Sequence, residues 1–245
     1  MDITYSALSD KGLKREENQD RITAHAKDGY ALFAVADGMG GHSDGAFAST
    51  EIITDLDEFW LNSSRHDSEE SFMDYTNSLR ESVNYINRKI YNYSKSKNII
   101  CGSTLSLVSV YNGNYIALNI GDSPILTLTK KNKEQLSVAH DYSNVMKKSG
   151  AEDYISSEKL VQALGVKEQI YPFVRTGSVA EEQVFLICSD GISKYSDNKQ
   201  LFKLLKKIFS GKLKTDEALN QLKNTAYKNG ASDNLSAIIF IIKSN

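Results

Sequence analysis

Two hydrophobic periods divide this chain. Strand-length apolar bursts dominate its start, middle and end, and a helical period takes over in two blocks between them. A first strand is predicted over 3–9, then a turn at Asp10-Lys11-Gly12 and a polar run holding Arg15, Asn18, Gln19 and Asp20. Strands at 22–26 and 30–36 flank the turn Lys27-Asp28-Gly29. Ser43 or Asp44 can cap the helix that follows, where Ala48, Ile52, Leu56 and Phe59 recur at helical spacing. A polar connector at 62–68 leads to a longer helix over about 69–93. Its Phe72, Leu79, Ile86 and Tyr93 repeat every seventh residue, with Thr76, Val83 and Ile90 between them. The two helices are expected to pair antiparallel, and core packing accounts for the whole stripe.

From Ser103 the texture returns to strands. Those at 104–111 and 115–120 flank Asn112-Gly113-Asn114, a strong hairpin signal. Further strands at 125–129 and 135–139 flank the basic turn 130–133. This reads as an antiparallel meander and not as alternating βαβ units. The stretch 141–165 is polar and mixed, with a short helical piece at 144–148. Strands follow at 173–176 and 184–188, then helices at 197–209 and 215–228 and a closing strand at 235–242. The first of these helices puts Leu201, Leu204, Leu205 and Ile208 on one face and Lys203, Lys206 and Lys207 towards water. No repeat, low-complexity tract or linker interrupts the chain. One domain over 1–245 is expected, of α+β class with antiparallel sheet and helices in separate runs.

Composition narrows the function classes. A net charge of −2 in 245 residues gives no reason to expect nucleic acid as a partner. The longest apolar run, 237–242, is far short of the roughly 20 residues that span a bilayer. The first residues lack the charged flank and apolar core of a signal peptide, so no membrane segment and a cytoplasmic location are expected. Cys101 and Cys188 are far apart, each beside an apolar run, and read as buried free thiols.

The chemistry begins at 30–42. There an apolar run stops at Asp37-Gly38 and a glycine-rich turn leads to His42. The pattern recurs where the run from Phe185 ends at Asp190-Gly191. Asp122 after Gly121, Asp233 before Asn234, and Asp20 are further carboxylates in similar settings. Two carboxylates brought to about 4 Å repel by about 4 kcal/mol at an effective dielectric near 20. A fold that converges several of them therefore calls for a divalent cation. With no clustered Cys or His, all-oxygen ligation points to Mg²⁺ or Mn²⁺ and away from Zn²⁺. The glycines would leave open space beside these carboxylates for the ion and its water.

Gly12-x-x-Arg15-x-x-Asn18-Gln19-Asp20, Ala36-Asp37-Gly38-Met39-Gly40-Gly41-His42 and Gly45-x-x-Ala48-Ser49 resemble the opening motifs of the PPM (protein phosphatase 2C) family of metal-dependent serine/threonine phosphatases. Gly102-Ser103-Thr104, Asn119-x-Gly121-Asp122-Ser123, Ala163-Leu164-Gly165, Ser189-Asp190-Gly191 and Ser232-Asp233-Asn234 continue the resemblance in family order, in the form typical of bacterial members. The resemblance implies a sandwich of two antiparallel β-sheets flanked by pairs of antiparallel helices. It implies two Mn²⁺ or Mg²⁺ ions, bridged by Asp37, with the Gly38 carbonyl at the second and Asp190 and Asp233 completing the first. In several bacterial members a third ion lies at the aspartates matching Asp122 and Asp190. Asp20 would sit in the outer shell, ordering metal-bound water, and Arg15 would grip the substrate phosphate.

The reaction so implied is direct attack at phosphorus by a water or hydroxide shared between two cations about 3.5–4 Å apart. His42, just past the glycine turn, is the candidate acid for the serine or threonine leaving group. His25, His66 and His140 read as surface or structural. The chain departs from the family at Pro124, where arginine is usual, at Tyr142, where histidine is usual, and in a short, divergent flap over 144–161. Expected partners are phosphoserine and phosphothreonine proteins, including a cognate serine/threonine kinase, acted on by a monomer. Two other readings stay open: a metal-binding pseudophosphatase serving as a regulatory module, and a hydrolase of small phosphoesters.

Overall fold

The computed structural model describes residues 1–40, 44–63, 70–149 and 160–244. In one sheet β1 (Asp2–Asp10), β11 (Leu235–Lys243), β10 (Glu182–Cys188), β7 (Ile125–Thr129) and β8 (Lys133–Gln135) lie side by side. In the other the order is β2 (Asp20–Lys27), β3 (Tyr30–Gly40), β5 (Leu105–Tyr111), β6 (Asn114–Ile120) and β9 (Phe173–Ser178), with β4 (Cys101–Ser103) pairing the end of β3. Every pairing is antiparallel.

The unbroken apolar run 31–36 follows from burial on both faces of β3. Ala31, Phe33 and Val35 point between the sheets, and Leu32, Ala34 and Ala36 point to the helix layer. Between the sheets Phe240 stacks on Phe33 at 4.2 Å and on Phe185 at 4.7 Å. Each such buried ring stabilises the sandwich by about 1.5–3 kcal/mol.

Helices α1 (Asp44–Ser63) and α2 (Phe72–Lys97) cover the outer face of the second sheet. They run antiparallel: Phe47 near the start of α1 stacks on Tyr93 near the end of α2, and Phe59 meets Tyr75 at the opposite ends. Lys89 of α2 ties them by pairing with Glu51 and Asp55. Ser71 caps the start of α2 by accepting from the Asp74 amide, and left-handed Asn98 ends it. On the other sheet α5 (Asn198–Phe209) and α6 (Thr215–Lys228) bury the predicted leucine face. Asp197 and Gln200 form a capping box at the start of α5. The layers are therefore helix, sheet, sheet, helix, as expected. Both cysteines are buried and free.

Two local expectations change. The strand expected over 135–139 lies instead at 133–135, because the Ser137 hydroxyl takes the Ile125 amide at 2.9 Å and removes it from a ladder. The basic turn closes tightly on Thr129, whose Oγ1 accepts from the amides of Lys131 and Asn132. The strand expected to stop at Asp37 continues through Gly40, where Gly38, Met39 and Gly40 pair with Ser103, Gly102 and Cys101. No helix among the described residues is long and apolar enough to cross a membrane.

Candidate active site

Five aspartates gather where the two sheets meet. The second sheet supplies Asp20 and Asp37, which are direct cross-strand partners on β2 and β3, and Asp122, just past the end of β6. The first sheet supplies the other two. Asp190 follows β10 and opens the short helix α4 (Asp190–Ser193), and Asp233 precedes β11, the neighbour of β10.

Hydrogen bonds from the main chain fix these positions. The Asp37 amide donates to Thr104 Oγ1 at 3.1 Å, and its carbonyl accepts from the Thr104 amide at 2.9 Å. Gly121, before Asp122, donates its amide to His140 Nδ1 and accepts from the His140 amide, which makes His140 structural. Ser189 donates to Asp20 Oδ2 at 2.9 Å and so links the sheets. His25 pairs with Asp57 and stacks on Trp60, away from the aspartates.

The glycines do something other than leave open space. A Cβ on Gly38 would collide with the Gly45 carbonyl and press on that of Gln19, and one on Gly191 would collide with the Asn234 carbonyl. Their missing side chains are filled by neighbouring backbone, which lets Asp37 and Asp190 sit close to the α1 start and the β11 start.

Electrostatics mark the cluster as built for positive charge. Burial, then the charges of Asp20, Asp190, Asp233 and Asp122, push Asp37 well above the usual carboxylate range. Burial raises Asp20 to about 6, against hydrogen bonds from Ser236 and Ser189, and Asp190 and Asp233 add to the rise. Asp122 is likewise raised to about 6, by burial and then by Asp190. At Asp233 burial acts upward too, but the hydrogen bond and charge of Arg15, with help from Lys194, hold it low.

Asp20 Oδ1 and Asp190 Oδ1 are buried with no hydrogen-bond partner. A lone buried carboxylate oxygen costs at least about 1–3 kcal/mol. Mutually repelling, all-oxygen donors with such orphaned atoms fit a hard divalent ion. Among the described residues no three His, Cys, Asp or Glu side chains already converge on one ion position. Two basic side chains lie on these carboxylates. Lys194 Nζ lies 2.6 Å from Asp190 Oδ2 and 3.3 Å from Asp233 Oδ2, and Arg15 Nη2 lies 2.9 Å from Asp233 Oδ1.

Arg15 was expected at the substrate phosphate. Its guanidinium lies on Asp233 with the side chain 53% exposed, at the mouth of the cluster. The 11–19 loop carrying it is stapled by Asn234. That amide donates to the carbonyls of Lys11 and Glu17 at 2.9 and 3.0 Å and accepts from the Gln19 amide at 2.9 Å. Gly12, at φ +74°, packs on the Asp233 carbonyl where any Cβ would clash. His42, Ser43 and His66, with residues 150–159 of the flap, lie outside the described residues. Pro124 accepts from the Cys188 amide through its carbonyl, and Tyr142 starts α3 (Tyr142–Ser149).

Lys194, and Asn234 as a staple, are additions to the residues read from sequence. The i, i+4 spacing of Asp190 and Lys194 was visible in the chain. Nothing local signals that Asn234 reaches a loop more than 200 residues away, at Glu17.

Comparison with known proteins agrees with this geometry. The sequence model of the family Protein phosphatase 2C matches residues 13–225. Protein phosphatase PhpP of Streptococcus pneumoniae is 28% identical over 211 residues, covering 81% of this chain and 82% of that protein. Serine/threonine phosphatase stp of Listeria welshimeri is 25% identical over 240 residues, 94% of this chain and 92% of that protein. The Mycobacterium tuberculosis serine/threonine phosphatase PstP/Ppp superposes with a TM-score of 0.83 at 23% identity, over 99% of both chains. The catalytic domain of PstP, solved in complex with two manganese ions, superposes with a TM-score of 0.81 at 23% identity, over 99% of both chains. The chain belongs to the protein phosphatase 2C family.

Proposed function

We propose that this protein is a Mn²⁺- or Mg²⁺-dependent protein serine/threonine phosphatase that cleaves phosphoserine and phosphothreonine esters by direct attack of water. The orphaned oxygens of Asp20 and Asp190, inside a cluster of five buried or half-buried aspartates, are the observation that carries this reading. Asp37, Asp190 and Asp233 would hold the ions with the Gly38 carbonyl, and Asp122 would share a third ion with Asp190. When bound, such ions make water nucleophilic near neutral pH and offset charge on the transferring phosphoryl group.

The chain's own groups do the rest. Arg15 stays charged, since its hydrogen bond to Asp233 raises its pKa further. Its exposed guanidinium is placed to bind phosphate oxygens at the mouth of the cluster. Asp20, fixed by Ser189 and with Oδ1 free, can accept a hydrogen bond from the attacking water. As the new P–O bond forms, the bond to the serine or threonine Oγ breaks and that oxygen takes a proton, a role we assign to His42.

The site draws on Arg15 near one end of the sequence and Asp233 near the other. That supports one catalytic domain over 1–245. Action as a cytoplasmic monomer on phosphoproteins, a cognate serine/threonine kinase among them, belongs to the same reading. The test is Mn²⁺-dependent phosphate release from a phosphothreonine peptide and from a small aryl phosphate, with Asp190→Asn as control. Turnover of the aryl ester alone would reject the protein-phosphatase reading.

A further inference from the structure

The most unusual contact in the cluster is made by a lysine. Lys194 stands one helical turn after Asp190, and its ammonium reaches two carboxylates assigned to the same ion, at 2.6 Å from Asp190 and 3.3 Å from Asp233. A divalent ion ligated by both carboxylates and an ammonium bridging both compete for the same oxygens. We propose that Lys194 is a tethered counter-ion that holds Asp190 and Asp233 in the metal-free protein and that an incoming divalent ion must displace.

This inference rests on the metal reading of the site and sharpens it. Without Lys194 the two carboxylates would face Asp37, Asp20 and Asp122 with Arg15, which pairs with Asp233, as the other close positive charge among the described residues. Lys194 supplies the missing charge from within the fold. Its side chain is 44% exposed, so solvent gives it room to move off the carboxylates. It also has somewhere to go. A cleft of about 200 Å³ beside it is lined by Asp122, Asp141, Asp190 and Ser193. Of these carboxylates Asp141 is assigned to no ion, so it can receive the displaced ammonium. The expected consequence is a metal site weaker than its carboxylates alone would make it, and a metal-free protein that keeps its fold.

Calorimetric titration of the full chain with Mn²⁺ tests this directly, using wild type, Lys194→Gln and Lys194→Arg. Removing two partly screened ion pairs should tighten Mn²⁺ binding by Lys194→Gln by about tenfold, equivalent to about 1.4 kcal/mol. Lys194→Arg should bind close to wild type. In EDTA, Lys194→Gln should melt below wild type, and saturating Mn²⁺ should remove the difference. An equal or weaker Mn²⁺ affinity in Lys194→Gln would overturn the proposal, including the case where only the KM for phosphopeptide changes and Lys194 serves the substrate. A wild-type protein that binds no Mn²⁺ would overturn it along with the metal reading, whereas metal binding unaltered by Lys194→Gln would remove this inference alone.

Discussion

Asp20 and Asp37 face each other as direct partners across the β2–β3 ladder. Like charges placed opposite one another destabilise a sheet, and these two are also pushed up by burial. The arrangement is a cost to the fold that a bound cation relieves. Asp37→Asn is therefore expected to stabilise the EDTA-treated protein by about 1–3 kcal/mol while lowering turnover at least about a thousandfold. Parallel thermal melts and phosphatase assays check both halves.

The same raised groups set a pH dependence. Asp20 and Asp122 titrate near 6 in the fold against an ordinary 3.8, so between those values the native state binds more protons than the unfolded one. Stability of the metal-free protein should then fall as pH rises from about 4 to about 6. Asp233 is held low, so its opposite contribution lies below that window. Saturating Mn²⁺ should flatten or reverse the slope, because it favours the ionised carboxylates. Melting temperatures across this range, with EDTA and with Mn²⁺, give the comparison.

Arg15→Ala should lower kcat/KM on a phosphothreonine peptide by about a hundredfold, the worth of a charge-assisted contact to phosphate. Its affinity for Mn²⁺ should change far less. Steady-state kinetics beside metal titration separate the two effects.

Asn234→Ala removes three hydrogen bonds that hold the 11–19 loop. At about 1 kcal/mol each, a loss of roughly 3 kcal/mol is expected. Because that loop carries Arg15, kcat/KM should fall as well, and denaturant melts with kinetics would show both.

Much of this was legible in the chain. Asn112-Gly113 gave the hairpin because both residues adopt positive φ, which that turn requires. The heptad from Phe72 to Tyr93 gave α2, and the Asp-Gly pairs gave the carboxylates. Less legible were features set by distant partners. β3 runs on past Asp37 only because β4 pairs with it, and β4 is a three-residue strand with no pattern of its own. Gly38 looked like open space because its neighbours, the Gly45 and Gln19 carbonyls, come from other elements. The reach of Lys194 to Asp233 depends on how α4 meets the start of β11, which no local spacing encodes.

The most direct measurement is phosphate release from a phosphothreonine peptide as Mn²⁺ is titrated, for wild type and Asp190→Asn. Wild type should be inactive in EDTA and saturate with Mn²⁺, and Asp190→Asn should need far more Mn²⁺ or show no turnover. Turnover in EDTA equal to that with Mn²⁺, or no turnover by wild type at any Mn²⁺ concentration, would contradict the account.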